Sequence, residues 1–310
     1  MRKVILLALA ALAVPALAQS SSAPFTVQES GESFGRLQQA VDAIGDGEGT
    51  IVIAPGRYGD CAVQERASIS YVAAEGGTAI FDGGICEGKA TLVLRGRRAE
   101  IQGLTFQNLR VPDGNGAGIR IEHGDLVISE SLFRNSEEGI LGGDDEGADI
   151  RIERSTFSGL GRCDRDLDCA HSIYIGNYRG LYVTHSRFER GAGGHYVKSR
   201  AARTDVLDSS FDDTAGRATN YMIDLPNGGT GTIARNMFVQ GKDKENYSAF
   251  IMNAAEGPWR KSTGLAVTDN DASIAPGVVR GTSFVADMSG DALRIENNRL
   301  GKGIARFEKR

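Results

Sequence analysis

The sequence has 310 residues, with 35 Lys and Arg against 40 Asp and Glu, and 41 glycines against only seven prolines. Without Arg2 and Lys3, which open an export-type leader, 33 basic residues face 40 acidic ones, a net charge of about −7 that argues against nucleic acid as a partner. No later stretch approaches ~18 consecutive apolar residues, which argues against a membrane span.

In chain order, Arg2 and Lys3, the apolar run Val4 to Val14 and the small-residue end Ala16-Leu17-Ala18 read as a signal peptide over residues 1–18. No cysteine follows to take a lipid, so a secreted or periplasmic protein without membrane attachment is expected. Residues 19–310 are expected to form a single domain. Leu37, Ala40, Val41 and Ile44 fall at i, i+3, i+4 and i+7, which predicts a short amphipathic helix over Phe34 to Ile44 capping one end of the core. The next segment, Gly49 to Tyr58 (GTIVIAPGRY), starts the first rung of a repeat. In an oxidising compartment the four cysteines are expected as Cys61 with Cys86, one turn apart, and Cys163 with Cys169, closing a small surface loop. They show no Cys-x-x-Cys or paired-histidine spacing, so no metal site is expected from them.

An internal repeat then decides the architecture. Phe106, Phe133, Phe157, Phe188, Phe211 and Phe238 recur at intervals of 27, 24, 31, 23 and 27 residues. Five residues before each stands Ile101, Ile128, Ile152, Val183, Val206 or Ile233. Two residues before each stands Leu104, Ser131, Ser155, Ser186, Ser209 or Asn236. The longest interval contains the Cys163–Cys169 loop, which reads as an insertion. Second strands precede these units at 172–175, 195–198 and 222–224, with weaker copies at 118–121, 249–252 and 293–295. A repeat of this length without helical period predicts an all-β, single-stranded right-handed parallel β-helix (solenoid) of about eleven rungs, each ~4.8 Å high. A propeller, whose blades run to ~40 residues, is the runner-up.

The helix followed by GTIVIAPGRY, and the rungs ending in Ser-x-Phe or Asn-x-Phe, resemble the pectin-lyase-like superfamily of right-handed β-helix proteins. The resemblance covers nearly the whole chain after the leader. It implies a carbohydrate-active or glycan-binding surface, the superfamily including lyases, hydrolases, epimerases, depolymerases and adhesins.

Solenoid sites lie on outward faces, and the segment 192–207 (AGGHYVKSRAARTDVL) is the richest in chemistry. If Val197 points inward, period-two alternation sends Tyr196, Lys198 and Arg200 outward, with Arg203 on the adjoining bend. Neighbouring rungs add Asp168, His171 and Tyr174 on one side and Tyr221, Asp224 and Asn227 on the other, with Asn253 and Glu256 one rung further. So many cations and aromatic groups in an acidic chain suit an acidic, uronate-containing polysaccharide as substrate. Cleavage by β-elimination needs a base for the proton α to the carboxylate, a cation to neutralise that carboxylate, and an acid for the leaving oxygen. Lys198 is the candidate base, Arg200 or Arg203 the neutraliser, and His195, Tyr196 or Tyr174 the acid. His171, Tyr221, Asp224, Asn227 and Glu256 complete the expected binding surface. The segment also resembles alginate and dermatan lyases of the superfamily in its Lys198-Ser199 pair. Where those enzymes place an arginine one rung later, this chain has Asp224, with Arg217 a few residues early.

Plainer readings stand beside these. Lys198, Arg200 and Arg203 equally fit surface ion pairs, and the histidines fit hydrogen-bonded structural positions. No cofactor is expected, with calcium at Asp144-Asp145-Glu146 or the 164–168 loop as the one candidate, although aspartate-rich bends are common without it. Asp208, Asp212 and Asp213 read as turn residues. An inverting hydrolase using Asp168, Asp224 or Glu256, or a non-catalytic glycan-binding or surface protein, are the rival functions. Convergence of Tyr174, Lys198, Asp224 and Glu256 on one groove separates the catalytic readings from the last.

Overall fold

The computed structural model describes residues 23–310, so the leader read at 1–18 lies outside the described part. The chain winds through three sheets, parallel apart from two short antiparallel strands at the N-terminal end of the first, and from there on strands adjacent in a sheet lie three apart along the chain. The first holds such strands as Asp145–Glu153, Tyr178–Thr184 and Arg203–Leu207. Thr156–Ser158, Arg187–Glu189 and Ser210–Asp212 belong to the second. Ile173–Ile175, Val197–Ser199 and Ile223–Leu225 belong to the third. The chain is thus a parallel β-helix. Each coil has three strands rather than the two visible in the repeat, and the second and third sheets have ten strands each, one coil fewer than the spacing suggested. The third strand was hidden because its run is short and carries polar residues between the core positions.

The phenylalanine column is the spine of the core. From Phe106 to Phe238 the rings are in register and stack with centroids 4.7–5.0 Å apart, and Phe81 extends the stack by one coil. Every ring in it is buried. The residue two before each ring forms a second ladder at the bend. Each side-chain oxygen of Ser131, Ser155, Ser186 and Ser209 accepts the backbone N–H of its counterpart one coil earlier, at 3.0–3.3 Å. Asn236, Asn270 and Asn298 continue it at 2.9–3.0 Å. The preceding residue is left-handed throughout, as at Glu130, Arg154, His185 and Asp208 with φ of 45–51°. The turn leaves one N–H without a strand partner, and the small polar residue supplies the acceptor.

The capping helix spans Leu37–Ile44, starting later than the pattern implied, and buries Leu37, Ala40 and Val41. Phe34 instead lies in a two-residue strand paired antiparallel to Phe25. Asp60, from the first coil, accepts the Leu37 N–H at 3.0 Å and so caps the helix from outside. Both disulfides join the expected partners, Cys61–Cys86 and Cys163–Cys169.

Candidate functional site

The third sheet does not alternate strictly, and this decides which side chains face out. Tyr196 and Val197, Met222 and Ile223, and Phe250 and Ile251 are consecutive pairs that both enter the main core. Two inward residues in a row flip the phase of everything before them. Tyr196, expected outward, therefore points in: its ring packs edge-on against Phe188 and Phe211, and its hydroxyl donates to Asp213 at 2.7 Å. Asp213 is no solvated turn residue either, being fully buried and paired with Lys244 at 3.2 Å. The flip places His195 outward instead.

Two outward columns result. One runs Leu141, Tyr174, Lys198, Asp224, Met252 in direct register. The other, three residues upstream, carries Glu138, His171, His195 and Tyr221. Its rings stack, His171 on His195 at 4.9 Å and His195 on Tyr221 at 5.6 Å. His195 Nδ1 lies 3.3 Å from the Tyr221 carbonyl, which assigns its proton there and turns the Nε2 lone pair toward Asp224 Oδ2 at 3.5 Å.

Above these columns sits a cationic pair. Lys198 Nζ lies 5.2 Å from the centre of the Tyr174 ring and donates to Glu256 Oε1 at 2.8 Å. Arg200 reaches three partners: Tyr174 Oη through Nε at 2.8 Å, Glu256 Oε2 at 2.5 Å, and the side-chain oxygen of Asn227. Asn227 in turn donates to the Gly257 carbonyl at 3.2 Å and so fixes the loop that carries Glu256. The same loop presents Trp259, 75% exposed, whose ring lies 5.9 Å from the Arg200 guanidinium. Arg260 follows, donating to the Arg200 carbonyl at 3.3 Å and to the side chain of Asn177.

Burial perturbs the titrating groups underneath. Asp224, its side chain 5% exposed, is pushed up to about 7 chiefly by burial, against the opposing charge of Lys198. Burial, reinforced by the charge on Lys198, pulls His195 down to about 3. His171 is held well below the ordinary range by burial and by His195. Glu138, fully buried, is raised well above the carboxylate range, and its Oε2 has no partner among the described residues. Burial works against ionising Glu256, yet the hydrogen bonds from Lys198 and Arg200 hold it below its usual value. Below about pH 7 a proton held on Asp224 thus faces the free nitrogen of a neutral His195, and in that range the two bury no net charge.

Tyr174, Lys198, Asp224 and Glu256 therefore meet on one face of the third sheet, together with His171, His195, Arg200, Tyr221 and Asn227. Arg203 does not join them. It lies on the first sheet opposite Gly180 and donates to Asp205 at 2.8 Å, one bend too far along to share a face with Lys198. Asp168 stays exposed in the disulfide loop. At the suggested calcium positions, Asp144 and Asp145 accept backbone N–H groups of Asn177, Gly147 and Gly124. Among the described residues no three His, Cys, Asp or Glu side chains form a metal-binding group. Glu138, Asn177, Trp259 and Arg260 escaped the sequence reading. Trp259 had a signal, as the only tryptophan of the chain and in a segment without strand periodicity.

No family model matches the sequence, and no curated protein does. Among solved structures the fold is similar to the surface protein and adhesin PfbA of Streptococcus pneumoniae, at 12% identity and a TM-score of 0.38, over 88% of this chain and 94% of that one.

Proposed function

We propose that this protein is a secreted polysaccharide lyase of the pectin-lyase-like kind, cleaving an acidic, uronate-containing glycan by β-elimination on the outer face of the third sheet. One observation carries the reading: the Glu256 carboxylate is clasped between Lys198 and Arg200, as the carboxylate of a uronate would be. Glu256 comes from a surface loop and is 44% exposed, so a substrate carboxylate can take its place. Arg200, held by Tyr174 and Asn227 with Nη2 toward that position, then neutralises the carboxylate. Lys198, acting as its neutral amine, is the base that removes the proton α to the carboxylate. The electron pair forms the new carbon–carbon double bond and expels the β-oxygen. Tyr174 supplies the acid: its oxygen accepts from Arg200 Nε, which leaves its own proton to give to the departing oxygen. Trp259 offers a ring face for a neighbouring sugar.

The test is incubation of the purified protein with alginate, pectate and glycosaminoglycans, following the ultraviolet absorbance of the unsaturated uronate product. Lys198→Ala should abolish the signal with the fold intact, and a flat trace across the whole panel overturns the proposal. A second reading has its own support in Asp224, a buried carboxyl poised near 7 as a hydrolase acid must be. It predicts reducing sugar released without absorbance, and loss of that release in Asp224→Asn.

A further inference from the structure

The bends that lead from the second sheet to the third enclose a cleft of ≈ 720 Å³, on the opposite edge of the third sheet from Arg200. Arg110, Arg190 and Arg217, from three different coils, stand along it over a floor that includes Gly161 and Ala192. The floor is low because its residues are small, Gly159, Gly161, Ala192, Ala215 and Ala218. A Cβ at Gly161 would come within 2.0 Å of the Gly193 carbonyl oxygen, so the backbones of successive coils touch there.

Most guanidinium groups of the described residues sit on carboxylates, as Arg57 does on Asp82, Arg151 on Asp149, Arg187 on Glu189 and Arg235 on Asp208, and others, such as Arg97 and Arg134, on carbonyl or amide oxygens. Arg110, Arg190 and Arg217 are exposed and have no carboxylate within 4.0 Å among the described residues. The one acid lining the cleft, Asp164, is taken by Arg162 at 2.5 Å and Arg165 at 3.7 Å. Three unpaired like charges on one cleft of an acidic protein focus a positive field that attracts anions. Guanidinium groups recognise planar carboxylate or tetrahedral sulfate oxygens two at a time. The floor also runs into the candidate site: Ala192 is three residues before His195, and Ala218 three before Tyr221, a chain distance of at most about 10 Å.

We infer that this cleft is a second anion subsite, binding carboxylate or sulfate groups of an acidic glycan whose other end lies on Tyr174, Lys198 and Arg200. The inference rests on the acidic-glycan reading above for its ligand class, and the two are separable by experiment. Trp259, the only tryptophan and a neighbour of Arg200, reports occupancy of the Lys198–Arg200 end by fluorescence, while calorimetry reports both. The full-length protein and the variant Arg110→Ser/Arg190→Ser/Arg217→Ser are titrated with disaccharides and hexasaccharides from alginate, pectate and heparin, the last set testing sulfate. The substituted side chains have no carboxylate partner to leave orphaned, and circular dichroism confirms the fold. The variant should bind hexasaccharides at least about tenfold more weakly, with a shallower salt dependence, while its Trp259 response to disaccharides stays as in the parent. Whichever set loses affinity names the recognised group. Undiminished hexasaccharide affinity overturns the subsite. Hexasaccharide binding that depends on the three arginines but never moves Trp259 keeps an anion site in the cleft and sinks the Lys198–Arg200 reading. A parent protein that binds none of the panel sinks both.

Discussion

The inner wall of the second sheet and the outer face of the third are built from the same in-register stacking, and they use it in opposite ways. On the inner wall the same residue recurs from coil to coil, phenylalanine on phenylalanine and serine or asparagine on its like. On the outer face each register position changes its chemistry, from Leu141 through Tyr174, Lys198 and Asp224 to Met252. The spacing explains the difference. Neighbours in a parallel stack lie ~4.8 Å apart, where identical aromatic rings attract and identical charges repel. Repetition therefore suits stability, and a site that brings acid, base and cation together must break it.

The largest effect should come from interrupting the repetition. Phe188→Ala removes a ring stacked on both sides, at 4.9 Å to Phe157 and 4.7 Å to Phe211, and should cost about 3–5 kcal/mol in chemical denaturation. Lys198→Ala, which breaks a pair with a half-exposed glutamate, should change stability by no more than about 1 kcal/mol. Equal costs for the two would erase the contrast.

The outer face should show itself instead in the pH dependence of stability. Between the unfolded Asp value of 3.8 and the unfolded His value of 6.5, folded Asp224, at about 7, keeps a proton that the unfolded chain has released. Its contribution is present below 3.8 and is lost as pH rises, by about 1.4 kcal/mol per pH unit. His195, at about 3, has shed a proton that the unfolded chain still binds, so its contribution grows with pH over the same window and is lost on acidification. Glu138 acts in the sense of Asp224 and His171 in that of His195, so the slopes largely oppose each other. Asp224→Asn should unmask the histidines, making the slope of unfolding free energy against pH more positive by about 1.4 kcal/mol per unit. Urea titrations across the window read this directly, and an unchanged slope would mean that Asp224 is ionised in the folded protein.

Repetition also governs what could be read from the letters. The phenylalanine column, the β-branched column and the Ser/Asn ladder are visible because they recur at fixed offsets, and with them came the solenoid and the two disulfides. The ladder residues were legible as a pattern but not as hydrogen-bond acceptors, since only the left-handed residue before each creates the need. Ser186→Ala should cost about 1–3 kcal/mol, the cost of leaving the Ser155 N–H buried without an acceptor. The outer face was legible only in part. Lys198, Arg200 and Tyr174 followed from counting outward from Val197, and the same counting misplaced Tyr196, because a second inward residue per coil leaves no trace in a period-two pattern. Glu138, two positions before Ile140, was missed for the same reason. Glu256 was placed by its rung, but its grip on both cations depends on how a loop folds back, which no periodicity encodes.

The smallest effect is expected at Arg203, and it is informative for that reason. In the letters it is as near to Lys198 as any arginine but Arg200, and it has the charge to neutralise a uronate. In the fold a bend intervenes, and its guanidinium sits 48% exposed on Asp205, on a sheet that faces another way. The pair is local, its arginine is solvated and Asp205 keeps the Thr232 N–H at 2.7 Å, so Arg203→Ala should cost no more than about 1 kcal/mol and leave glycan binding and turnover unchanged. Arg200→Ala, three residues earlier, should abolish both, because that side chain alone joins Tyr174, Asn227 and Glu256. Measured side by side on one acidic glycan, the two substitutions ask whether function follows the face or merely the charge. If Arg203 proved as costly to turnover as Arg200, the site would have to extend round the bend onto the first sheet, and its assignment to the third sheet would fall.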